Sequence, residues 1–168
     1  SFAEADTALE FLKGRYAALA VAHNPKDAEL LPDMMQQTQQ LAQATGPVDL
    51  VIGHNDLLAA NIMDDGEKLW LIDWEYGGFN TPLFDLAGLA GNNGLSEDQE
   101  RAAIEQYFHA PADPYWRPYQ AMKCTSLLRE TLWSMTSEIH SGLDFDYAAY
   151  TAENMDRLTA ALQDFRNA

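Results

Sequence analysis

Near the middle of the chain two short apolar runs, Asn61-Ile-Met63 and Leu69-Trp-Leu-Ile72, stand on either side of Asp64-Asp65-Gly66. An acidic residue followed by glycine between apolar runs is a strong short-range signal for an antiparallel hairpin, because glycine readily takes the positive φ of a tight turn. Just ahead, Asp49-Leu-Val-Ile-Gly53 is a further run of strand type. On both sides of this patch the apolar spacing changes to three and four. Phe2, Leu9, Leu12, Tyr16 and Leu19 predict a helix over roughly 3–22, ended by Asn24-Pro25, and residues 30–44 read as a second, closed by Thr45-Gly46-Pro47. Beyond the hairpin a short helix runs from Phe84 to Leu89, and Ser96-Glu-Asp-Gln99 has the form of a capping box opening another that ends near His109. Ala110-Pro-Ala-Asp-Pro114 is a break. A long helix then covers about Tyr115 to Ile139, with Gly142 as its stop, and a last one covers about Tyr147 to Phe165. The fold class that follows is mainly α with one small β-hairpin region, an α+β arrangement.

No repeat or linker divides the 168 residues, so one domain is expected over 1–168. It would comprise a helical lead-in over 1–46, a loop and hairpin over 47–75, and a helical part over 76–168. With 10 Lys and Arg against 26 Asp and Glu the net charge is −16. A surface this acidic repels phosphate backbones and anionic lipid heads, which argues against nucleic acid and membrane as partners and favours cations. No stretch reaches 18 apolar residues, and the one cysteine, Cys124, permits no internal disulfide, which suits a reducing cytoplasm.

The chemistry concentrates in His54-Asn-Asp-Leu-Leu-Ala-Ala-Asn61 and Leu71-Ile-Asp-Trp-Glu75. A strand delivers the chain to His54, and the loop after it carries Asp56 and Asn61. The hairpin then returns the chain so that Asp73 falls beside Asn61. Hard oxygen donors at a hairpin mouth suit Mg²⁺, which takes one or two carboxylates and completes its shell with phosphate oxygens and water. Asp56, five residues before Asn61, is left to face a reacting hydroxyl, the division of labour that phosphoryl transfer needs. Taken singly, each acid reads as a turn residue or cap and His54 as a hydrogen-bonded structural histidine. A metal-dependent hydrolase using His54, Asp56 and Asp73 is an alternative, but it leaves Asn61 unexplained.

His54–Asn61 resembles the H-x-D-x(4)-N catalytic loop of kinases, and Leu71-Ile-Asp-Trp-Glu75 resembles the metal-binding segment of the aminoglycoside-phosphotransferase and choline-kinase branch. The continuation Tyr76-Gly-Gly-Phe-Asn-Thr-Pro-Leu-Phe-Asp-Leu-Ala87 is similar to choline/ethanolamine kinases, and the likeness runs from about Val48 to Phe165. The resemblance implies the helical C-terminal lobe of a protein-kinase-like fold, with ATP as co-substrate, Mg²⁺, and a small cationic alcohol as acceptor. Asp56 would be the base, Asn61 and Asp73 metal ligands, and Glu75 a neighbour of a second metal or a support for the first. Asp85 would tie the loop down through backbone amides. Trp133, Tyr147 and Tyr150 would line the ammonium pocket, since a quaternary ammonium is held by aromatic faces. Glu130 stands where the family carries another aromatic residue, and its carboxylate would suit a primary amine as well as choline.

A kinase of this type also needs a glycine-rich loop and a strand lysine over the nucleotide phosphates. Lys13, Lys26, Lys68 and Lys123 lie in no such strand, and no GxGxxG precedes Asp56. The expectation is therefore a fragment, inactive alone, whose N-terminal β lobe belongs to the same polypeptide; a homodimer stays open. An aminoglycoside or other small-alcohol kinase and a non-catalytic kinase-like interaction domain are the alternatives. Gly88, Gly91 and Gly94 follow a helix and read as its C-cap and turn, not as a phosphate cradle. Cys124 lacks the surroundings of a reactive thiol, and His23, His54, His109 and His140 lack zinc-ligand spacing.

Overall fold

A computed structural model describes residues 36–47 and 49–168. The helix expected over 3–22 and the opening of the one expected over 30–44 lie outside the described residues. Helix α1 is described over 36–45. After it come β1 (Val51–Gly53), β2 (Ile62–Asp64), β3 (Leu69–Leu71) and β4 (Gly78–Asn80), with one-turn helices at Ala59–Asn61 and Trp74–Tyr76. Four helices follow: α2 (Pro82–Asn93), α3 (Glu97–Phe108), α4 (Asp113–His140) and α5 (Tyr147–Asn167).

The hairpin forms where the turn chemistry requires it. Ile62 pairs with Leu71, Met63 with Trp70 and Asp64 with Leu69. Trp70 lies over the turn: its indole N–H donates to the Asp65 carboxylate at 2.6 Å, and the Lys68 ammonium sits 3.5 Å from its ring centre. β1 pairs antiparallel with β4, Val51 opposite Asn80 and Gly53 opposite Gly78. This partner strand is invisible in the sequence, because Gly78-Phe-Asn80 has no alternating pattern. Only the fold brings it beside β1.

The helices differ from expectation mainly at their ends. α2 is 12 residues long and takes in Gly88 and Gly91, with Gly94 alone serving as the left-handed cap at φ 63°. Gly91 faces Leu127 of α4, and a Cβ on Gly88 would lie 3.4 Å from the Ser126 hydroxyl, so both allow close helix packing. Thr81 caps α2 by accepting from the Leu83 amide, with Pro82 in its first turn. At the start of α3 Ser96 and Gln99 satisfy each other's backbone amides, a complete capping box. α4 begins at Asp113, two residues earlier than the break predicted, because proline fits the first turn of a helix, where its missing N–H costs nothing.

α4 is the central element. On one side Ala121, Cys124, Leu127 and Leu128 pack with Leu41 of α1 and with Leu158, Ala161 and Phe165 of α5. On the other, Tyr119 and Met122 join Leu83, Phe84, Ala87 and Ala90 of α2 and Ile104 of α3. Buried on two sides, it presents no single apolar stripe. The Glu100 carboxylate, 2% exposed, is paired at 2.5 Å with the Lys123 ammonium, so the charge α3 buries is compensated. Among the described residues, no helix is long and apolar enough to cross a membrane.

Candidate functional site

The loop after β1 is held from beneath by one carboxylate. Asp85, in the first turn of α2, accepts from the His54 amide at 2.6 Å and from the Asn55 amide at 2.7 Å. A Cβ on Gly53 would lie 2.9 Å from the Asp85 Oδ2, so glycine is what lets the carboxylate reach the chain. Asn55 then turns into the left-handed region at φ 63°, a conformation asparagine tolerates better than most residues. Its side chain fixes that turn by donating to the Tyr76 carbonyl at 3.0 Å and accepting from Asn80 Nδ2 at 2.9 Å. Asn55 carried no role in the sequence reading; its only mark was its place inside the motif.

His54 is 2% exposed. Its Nε2–H donates to the Ile72 carbonyl at 2.8 Å, and its ring lies 4.8 Å from that of Trp74. The imidazole thereby fastens the loop to the end of β3. Nδ1 is buried and has no hydrogen-bond partner among the described residues.

Asp56 and Asn61 share the loop. The Asn61 Nδ2 donates to the Asp56 carbonyl at 3.0 Å, and the Asn61 carbonyl accepts from the Ile72 amide at 3.0 Å. The second bond puts the residue preceding Asp73 against Asn61. Asp73 itself is exposed, with φ 62°, and Glu75 follows in the exposed turn Trp74–Tyr76. Nδ2 of Asn61 is thereby engaged, and the exposed Asp73 follows directly on Ile72, whose amide is bonded to Asn61. An amide oxygen and an acid fit a Mg²⁺ ion that draws its other ligands from phosphate and water. Among the described residues no three His, Cys, Asp or Glu side chains gather into an all-protein metal cage.

A narrow recess, with room for about one water molecule, lies beside Asp56. Asn55, Asp85, Phe84, Arg129 and Glu130 contribute to its lining together with Asp56, while Asp73 does not. Glu130 accepts from the Tyr150 hydroxyl at 2.8 Å. Burial and that bond push the Tyr150 phenol up to about 12. Behind it Trp133 meets Tyr147 edge-on at 5.9 Å, and Phe145 meets Tyr147 at 4.9 Å and Tyr150 at 5.7 Å. Of the four residues assigned to the acceptor pocket, Glu130 lines the cleft, and the three aromatic ones form a cluster joined to it through Tyr150. Phe145 belongs to that cluster too, and its spacing from Tyr147 and Tyr150 was the signal available.

Arg129 was missed altogether. Its Nη2 donates to Asp56 Oδ1 at 2.9 Å, and its Nη1 donates to the Asn55 carbonyl. The guanidinium lies 5.3 Å from the Tyr76 ring and 5.8 Å from the Phe84 ring. An arginine 73 positions away from its partner, on a helix with no stripe pattern, gave no local signal.

The kinase-like loop, the hairpin and the helical scaffold around them agree with what the chain matches. Residues 2–122 match the phosphotransferase enzyme family, well over half the sequence. The chain belongs to that family. A choline/ethanolamine kinase family protein from Mesorhizobium loti superposes with a TM-score of 0.81 at 26% identity, covering 92% of this chain and 54% of that one. The probable ethanolamine kinase of Arabidopsis thaliana is 29% identical over 140 residues, 70% of this chain and 37% of its own length. Protein LicA of Haemophilus influenzae is 25% identical over 115 residues, 66% of this chain and 43% of its own. The described part of the chain has the architecture of a kinase-like helical C-terminal lobe, and the chain spans roughly a third to a half of these relatives.

Proposed function

We propose that this phosphotransferase is the acceptor-binding lobe of an ATP-dependent kinase for a small amino-alcohol, ethanolamine or choline. An N-terminal lobe of the same polypeptide would supply most nucleotide contacts. The observation that carries the reading is that Asp56 and Glu130 line one small cleft from elements far apart in sequence. An acid for a hydroxyl and an acid for an ammonium on the same small recess fit a short amino-alcohol better than a large polycation. The aromatic cluster behind Glu130 adds faces for a cationic head.

In this reading the alcohol enters with its hydroxyl on Asp56 and its ammonium toward Glu130. The hydroxyl oxygen bonds to the γ-phosphorus, the bond to the β–γ bridging oxygen breaks, ADP leaves, and the hydroxyl proton passes to Asp56. Asn61 and Asp73 would hold Mg²⁺, with Glu75 nearby, and the ion would supply positive charge to offset that of the phosphate oxygens. His54, Asn55 and Asp85 keep the loop in place. A reducing cytoplasm suits the buried, unpaired Cys124.

The test is ADP release by the full-length polypeptide with ATP and Mg²⁺, offering ethanolamine and choline in parallel. Asp56→Asn should lower kcat by about 10²- to 10⁴-fold, the range for loss of a positioned base. Absence of turnover with either alcohol refutes the acceptor; an undiminished Asp56→Asn refutes the role of Asp56.

A further inference from the structure

Asp56 does not stand alone at the cleft. Its side chain is 21% exposed and that of Arg129 17%, so their ion pair is largely shielded from water. One guanidinium spans both parts of the residue pair it serves, the Asp56 carboxylate and the Asn55 carbonyl. It is gripped by Tyr76, from the turn after Asp73, and by Phe84, from α2. Arg129 thus meets the loop, the metal segment and α2 at one point. Among the described residues, Asp56 Oδ1 has this single side-chain partner, and no hydrogen bond holds Oδ2.

We infer that Arg129 is a positioning residue for the transfer reaction: it fixes the Asp56 carboxylate so that Oδ2 is the oxygen offered to the acceptor hydroxyl. The inference rests on the function proposed above. Three observations converge on it. A carboxylate in a cleft rotates freely about its last torsion unless one oxygen is pinned, and Arg129 pins one. A planar fork can bind the carboxylate and the neighbouring carbonyl together, which a lysine ammonium on its flexible stem does less well. Finally, the next residue, Glu130, lines the same cleft, so one turn of α4 sets both the base and the ammonium site. Arg129 also counters the charge of three acids at one small opening, Asp56, Asp85 and Glu130.

The experiment uses the full-length polypeptide and whichever amino-alcohol the wild type phosphorylates. Arg129→Ala should lower kcat about 30- to 100-fold, the size expected when a reacting group is misplaced by about an ångström. KM for ATP should stay within about twofold, since in the proposed function most nucleotide contacts come from the N-terminal lobe. Ethylguanidinium added at millimolar concentration should restore part of kcat in Arg129→Ala and leave the wild type unchanged, a recovery that a purely structural role would not show. Arg129→Lys should keep the charge, lose the fork and fall about tenfold. An Arg129→Ala kcat within threefold of wild type, or a loss that ethylguanidinium does not relieve, overturns the inference. Should Arg129→Ala fail to fold, Arg129→Lys decides alone: a wild-type kcat overturns it, a tenfold loss supports it. A wild type that phosphorylates neither alcohol overturns the function and this inference together, whereas an active wild type beside an equally active Arg129→Ala overturns the inference only.

Discussion

Replacing Asp85 by asparagine removes a charge from beneath the loop and exchanges an acceptor for a donor. In the native arrangement each carboxylate oxygen accepts one backbone N–H, at 2.6 Å from His54 and 2.7 Å from Asn55. Bonds to a charged acceptor contribute about 1.5–3 kcal/mol each, and Asp85 is only half buried, so the lower end applies. Asparagine keeps one acceptor oxygen but points an NH₂ at the other amide, so one bond is lost outright and the other loses its charge. The expected loss is about 2–3 kcal/mol, and Asn55, held at φ 63°, then has less to keep it left-handed. For a chain of this size that corresponds to a midpoint lower by about 5–10 °C. Urea unfolding followed by tryptophan fluorescence would measure it, with the exposed Asp156→Asn of α5 as a control expected within about 0.5 kcal/mol of wild type. An Asp85→Asn protein as stable as that control would refute the claim that the two amide bonds anchor the loop.

Two further outcomes are expected. Burial pushes the Cys124 thiol from 9.0 up to about 12, so the folded protein should resist iodoacetamide at pH 8 and react once unfolded in urea. Because the folded value is the higher one, the stabilisation from the protonated thiol is whole below about pH 9 and is lost as the pH rises to about 12; rapid labelling of the folded protein would contradict the burial. Ser96→Ala should cost about 1 kcal/mol in urea unfolding through the broken capping box, and Ser96→Gly only a few tenths. Equal costs for the two would count against the cap.

Local rules carried much of the reading. The capping box at Ser96 and Gln99, the hairpin across Asp64-Asp65-Gly66 and the helical spacing of α5 are decided by neighbours within a few residues, so a single sequence displays them. The failures share a different cause. β4 is three residues with one aromatic side chain and pairs with β1 across the intervening hairpin. Gly88 and Gly91 looked like an ending because glycine is a poor helix former, yet the close approach of α4 keeps them helical. Asn55 was passed over since its importance lies in a backbone angle.

For this chain, then, the sequence alone determined that a motif of His54, Asp56 and Asn61 would lead into a hairpin closing on Asp73, and that helices would surround it. It determined this because loop, turn and capping chemistry act over short stretches of chain. Tertiary structure decided that Asp85 would reach under the loop through the space left by Gly53, that Arg129 would grip Asp56, and that Glu130 would share its cleft. Those contacts join residues 30 to 74 positions apart, and they exist only because burial of α4 on two sides brings those residues together.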